Sequence, residues 1–134
     1  MLAFALALAA SVNGLPLGEL APQALPPSGC AAYLFTTGEK RHFVAVASAG
    51  SIRVALDGKP VDLPRAAQVG AAGYGLAADT EYRAGDLLAA LALTVSERSD
   101  LRDGAAVPAA TLRIDRPGQD GVVVPLVGMI GCAP

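Results

Sequence analysis

The sequence predicts an all-β domain: a small antiparallel sandwich or barrel of about seven or eight strands, joined end to end by one disulfide. Three observations carry this expectation. Turn residues recur about every ten positions between Cys30 and Cys132. The segments between those turns alternate side chains with the period of two that a strand requires. The only two cysteines stand at the two ends of that stretch.

Taken in order, residues 1–10 are wholly apolar and end in Leu6-Ala7-Leu8-Ala9-Ala10. Such a run is too short to cross a bilayer as a helix, which takes about 20 residues. It matches the apolar part of a secretory signal, and Ala9-Ala10-Ser11 or Val12-Asn13-Gly14 offers small residues for cleavage. No charge lies between Met1 and Leu8, so the usual basic start is missing, and a buried first strand or helix is the alternative. Residues 1–14 are read as this signal-like segment. Residues 15–29 follow as a leader, where Pro16, Pro22, Pro26 and Pro27 forbid a helix or a central strand. The expected shape is extended.

A single β domain then spans residues 30–134. In an exported chain two cysteines favour a disulfide, here Cys30 with Cys132. A competing reading takes Ser28-Gly29-Cys30 as the tail of a lipidation signal. Pro27 stands where that signal has an aliphatic residue, and Cys132 would be left over. The disulfide is the preferred reading. Inside the domain, residues 31–35 are apolar and residues 36–40 form a turn. Phe43, Ala45 and Ala47 alternate with Val44 and Val46. Ile52, Val54 and Leu56 share a face, Asp57-Gly58 suits a two-residue hairpin, and residues 60–63 return. Residues 87–95 fit either a helix, by propensity, or a strand with Leu87, Leu91, Leu93 and Val95 on one side. Their strand neighbours favour the strand. Residues 111–116 and 122–130, joined by a Pro-Gly-rich loop, close the chain.

Composition narrows the function classes. The 134 residues are 53% apolar but only 4% aromatic and 16% charged, with no Trp. The core is therefore expected to be made of Ala, Val and Leu, and a disordered polar tail does not describe the chain. Ten basic against twelve acidic residues give a net charge of −2, without the basic stripe that nucleic-acid binding uses. One His and two Cys are too few for a transition-metal site, and no cofactor is expected.

Catalytic groups are equally sparse. A His-dependent triad would have to use His42, and Ser48, Ser51, Ser96 and Ser99 have no His in their local sequence. The acid pairs Asp57/Asp62, Asp79/Glu81 and Asp100/Asp103 mostly sit beside Gly or Arg, as turn acids do. Residues 70–75, Gly-Ala-Ala-Gly-Tyr-Gly, lack the Lys-Ser/Thr ending of a phosphate loop. This apolar loop either tucks Tyr74 into the core or presents it to a partner's cleft. An enzyme is not expected.

A resemblance emerges from the order of these pieces. Cys30, Phe43-Val44-Ala45-Val46, Val54-Ala55-Leu56-Asp57-Gly58-Lys59 with Leu63, the Gly-rich stretch ending at Tyr74, and Tyr82-Arg83-Ala84-Gly85-Asp86 follow one another. The succession, over about residues 30–95, is similar to the periplasmic or membrane-bound inhibitors of C-type lysozyme. The resemblance implies a β-barrel, export, and a Ser-Gly-x-x-Tyr loop with a Lys-Gly turn presented to the lysozyme cleft. Here Val69-Gly70 stands in place of Ser-Gly and Ala84-Gly85 in place of Lys-Gly, which removes the hydroxyl and the ammonium the family uses. Arg83 is the nearby cation left. The candidate partner-binding residues are therefore Gly70, Gly73, Tyr74 and Arg83. The expected role is a periplasmic or secreted non-enzymatic binding module for a lysozyme-like hydrolase or another envelope protein. The alternative is a structural envelope protein without a discrete site.

Overall fold

Alternation with period two becomes strand throughout. The computed structural model describes residues 17–97 and 104–134, and these hold nine strands and no helix. They are β1 (Leu17–Gly18), β2 (Cys30–Thr36), β3 (Phe43–Ser48), β4 (Ser51–Leu56), β5 (Lys59–Val69), β6 (Asp79–Ala84), β7 (Leu87–Ser96), β8 (Gly104–Asp115) and β9 (Val122–Cys132). The signal-like segment 1–14, Ser99 and the Asp100/Asp103 pair lie outside the described residues.

Strands β2 to β9 each pair antiparallel with the next in sequence, and β9 returns to pair with β2 along its whole length. The result is a closed eight-stranded up-and-down barrel with β1 added to it, so of the two architectures the sequence allowed, the barrel is the one formed. Closure leaves no long exposed edge to pair with another chain.

Local chemistry explains the turns and the strand lengths. Asp57 and Gly58 both take positive φ, 52° and 81°, and Leu56 pairs with Lys59 across them, the hairpin expected from Asp-Gly. Residues 87–96 are strand β7. Their helix propensity yields because Ala89, Leu91 and Leu93 are buried in the core from a strand paired on both sides. Two strands run longer than their prolines suggest. β5 passes through Pro64, which occupies the end of the β4 ladder, and β8 passes Pro108 at the bulge between Val107 and Ala110. Both are positions where a strand tolerates a missing donor.

The interior is filled by aliphatic side chains from every barrel strand, including Leu34, Val44, Ile52, Leu63, Leu91, Leu112 and Leu126. Tyr82, 2% exposed, is the one aromatic fully inside, and its hydroxyl donates to the Ser48 carbonyl at 2.9 Å. Burial pushes its phenol above the ordinary value. The outer wall carries Arg53, Asp62, Glu81, Arg83 and Arg113, all exposed. An apolar lumen with charges outside is the reverse of a membrane-spanning barrel, which is apolar outside and polar within. No helix among the described residues is long and apolar enough to cross a membrane.

The Pro-rich leader belongs to the packing of the barrel. Leu17 pairs with Leu56 and Gly18 with Ala55, and Leu17 is completely buried in the core. Residues 19–29 then run as an extended strap over the outside of β2, β3 and β4. Three contacts hold it. The Leu20 amide donates to the Phe43 carbonyl at 2.8 Å, the Tyr33 hydroxyl to the Ala24 carbonyl at 2.8 Å, and Arg53 to the Gln23 side chain at 2.8 Å.

Candidate binding surface

The cysteines are the first candidates the structure places. Cys30 and Cys132 face each other in the β2–β9 register and form a disulfide, with their Cα atoms 3.9 Å apart. The bond joins the first and last barrel strands at the seam that closes the ring. Both thiols are consumed, so neither is free to act as a nucleophile or to carry a lipid. Lipidation of Cys30 would also require cleavage before it, which would remove Leu17, Leu20 and the strap from their packing.

The Gly70–Tyr74 candidates lie in the connection between β5 and β6, residues 70–78. This loop is folded on itself: the Ala72 amide donates to the Leu76 carbonyl at 2.9 Å and the Leu76 amide to the Gly73 carbonyl at 3.0 Å. Tyr74 takes a φ of 58°, a left-handed conformation that costs a side-chain-bearing residue on the order of 1 kcal/mol. Its ring packs against the core and its hydroxyl donates to the Gly104 carbonyl at 3.2 Å, which holds it there. Gly70 and Gly73 also take positive φ, 75° and 122°. Arg83 is exposed near the far end of β6, beside the turn to β7. Four strand steps separate it from Asp79, about 13 Å. The structure therefore does not bring the loop and Arg83 to one tip.

The acids and the histidine are found in pairs. Asp57 accepts from Arg116 at 2.9 Å, linking two turns, and Asp62 accepts twice from Arg53, at 2.7 and 3.0 Å. Asp79 and Glu81 are exposed on the outer face of β6. His42 Nδ1 contacts Glu19 of the strap, and its backbone amide donates to the Thr36 hydroxyl at 3.0 Å. Among the described residues no three His, Cys, Asp or Glu side chains gather as a metal site.

The Arg53–Asp62 pair supports one pH prediction. The hydrogen bond from Arg53 holds the Asp62 carboxyl below its ordinary value. A depressed carboxyl stabilises the fold above the unfolded-state value of about 3.9, and this stabilisation is lost as acid protonates it. Because both side chains are about half exposed, Asp62→Asn is expected to cost under about 1 kcal/mol at pH 7. Urea midpoints of wild type and variant should converge below about pH 3.

The outer wall holds a surface that motif reading passed over. Tyr33 and Phe35 point outward from β2 while Ala32 and Leu34 point inward, and Phe43 of β3 joins them. The Tyr33 and Phe43 ring centroids are 6.2 Å apart and those of Phe35 and Phe43 5.2 Å. With Leu20, Pro22 and Leu25 of the strap and Met129 of β9 they line an open groove of about 620 Å³. Leu25 and Met129 are 52% and 55% exposed. Gln23 and Glu19 are the strap's polar contributions, and Glu19 is the only charged residue in the lining. The signal in the sequence was the phase of β2: its two rings fall on the face opposite Ala32 and Leu34, so they could not both serve the core.

No family model matches the chain, and no curated protein or solved structure matches it. The surface must be interpreted from its own chemistry.

Proposed function

We propose that this protein is an exported, non-enzymatic binding domain, and that its outer aromatic groove takes an extended proline- and leucine-rich segment of an envelope partner. One observation carries the reading. In a chain short of aromatics, three of the five described rings are on the outer wall, although the core lacks large side chains. Burying a ring inside is worth more than leaving it half exposed, so folding alone does not account for their placement. The strap shows what such a wall holds. It is itself an extended Pro-rich chain, and the Tyr33 hydroxyl engages one of its carbonyls, the pairing of aromatic face and carbonyl-directed donor that suits such chains. Glu19 at the rim favours a basic residue in the ligand. The disulfide suits an oxidising compartment.

The test is fluorescence anisotropy of a fluorescein-labelled Pro-Leu-Pro-Pro-Leu-Arg peptide. Wild type should bind it, and the Phe35→Ala/Phe43→Ala double variant should bind at least about tenfold more weakly while keeping its far-UV spectrum, since both rings lie outside the core. Equal affinity would sink the reading. The lysozyme-inhibitor reading is supported by the closed antiparallel barrel, and rests on Tyr74 and Arg83 instead. Loss of C-type lysozyme activity at micromolar excess, abolished by Tyr74→Ala and untouched by the groove variant, would put it in first place.

A further inference from the structure

The barrel wall is incomplete at one seam. β3 and β4 pair over only three positions, Ala45 with Val54, Val46 with Arg53 and Ala47 with Ile52. β4 continues for two more residues, Ala55 and Leu56, and these pair with Gly18 and Leu17 instead of with β3. On the other side of the same opening, the Phe43 carbonyl of β3 accepts from the Leu20 amide at 2.8 Å. Residues 17–20 thus fill the gap where the two strands part. Leu17 joins the core and Leu20 lines the outer groove, so the two leucines anchor opposite sides of the wall, as strand residues three apart must.

We propose that this seam is a strand-acceptor site: it takes an extended segment with apolar residues three positions apart, the chain's own residues 17–20 occupying it in the isolated molecule. The inserted strand is only two residues long, and the contacts it makes are ones another chain can supply. The acceptor offers the unpaired backbone of Ala55 and Leu56, the Phe43 carbonyl, and an apolar slot for one side chain on each face. Main-chain pairing gives the attachment and the two slots give the selection, as in other strand additions. The segment that fits best is a copy of residues 17–20, and a partner strand of the same pattern would compete for the seam. The inference is independent of the groove reading, because it rests on the ladder between β3 and β4 and not on the aromatic rings.

The test uses full-length protein and a labelled synthetic peptide of residues 15–22. Leu17→Asp puts a charge where a buried leucine was, which drives the chain's own segment out of the seam. Apparent affinity scales with the fraction of open acceptor. The variant should therefore bind the peptide at least about tenfold more tightly than wild type, and neither protein should bind a peptide with Asp in place of both leucines. Should Leu17→Asp fail to fold, Leu17→Ala keeps the segment apolar and weakens its anchoring, with the same direction of effect. A folded variant that binds the leucine peptide no better than the Asp peptide, or no better than wild type does, would overturn the proposal. Unchanged binding in the Phe35→Ala/Phe43→Ala variant carrying Leu17→Asp would separate the seam from the groove.

Discussion

Replacing Cys30 and Cys132 by serine is expected to lower the unfolding free energy by about 2–5 kcal/mol. The bond spans a sequence separation of 102 residues, so reduction releases almost the whole barrel chain in the unfolded state. The loop-entropy model sets an upper value of about 4.7 kcal/mol for a loop of that length, and native strain or residual structure lowers it. A second factor raises the sensitivity of this protein. Its core is aliphatic, with Tyr82 the only ring fully inside, so a loss of that size is a large part of a total stability of order 5–15 kcal/mol. At roughly 3–5 °C per kcal/mol for a chain of this length, the thermal midpoint should fall by on the order of 10–15 °C. Calorimetry of the double serine variant beside the oxidised protein reads this directly. A midpoint within about 2 °C of wild type would mean that the β2–β9 ladder alone constrains the ends.

Gly128→Ala should be more damaging than its one added methyl suggests. Gly128 of β9 pairs with Leu34 of β2, and a Cβ built there would collide with the Tyr33 carbonyl oxygen and approach its carbon to 2.9 Å. The obstacle is backbone, so no side-chain rotation relieves it. Either the β2–β9 seam opens locally, losing ladder hydrogen bonds next to the disulfide, or β9 shifts and its inward residues Leu126 and Ile130 leave their positions. Overpacking at a rigid site costs about 1–3 kcal/mol, more where the backbone must move, and the upper end or beyond is expected. Gly50→Ala is the control: its φ is ordinary and nothing lies within 4 Å of the added carbon. Denaturant midpoints for the two variants should differ clearly. Similar midpoints would show that the seam accommodates a methyl group.

How far the sequence led can be judged residue by residue. Strand content, the Asp57-Gly58 hairpin and the Cys30–Cys132 bond were legible because each is decided locally, by alternation, by turn chemistry or by the number of thiols. Closure into a barrel was not, since it depends on β9 finding β2, a pairing that neither strand announces. The extent of β5 and β8 was hidden by Pro64 and Pro108, which read as breaks until their places at a ladder end and a bulge are known. At the site, Gly70, Gly73 and Tyr74 drew notice as a conspicuous string, yet Tyr74 is held by the core and the Gly104 carbonyl. The rings of Tyr33, Phe35 and Phe43 were visible only as strand formers. What they line depends on Met129, about ninety residues away, and on a strap whose prolines suggested only an extended course.

The meander has a kinetic corollary. In β2–β9 every strand pairing but one joins neighbours in sequence, so most of the ring can zip hairpin by hairpin across short loops. Only the β9–β2 ladder must gather ends a hundred residues apart, and search over that distance is the slow, entropy-limited part of making a β protein. Tied ends shorten that search to almost nothing. The linkage that stabilises the finished barrel therefore also converts its single long-range event into a local one, and refolding with the bond intact begins as a loop already drawn closed.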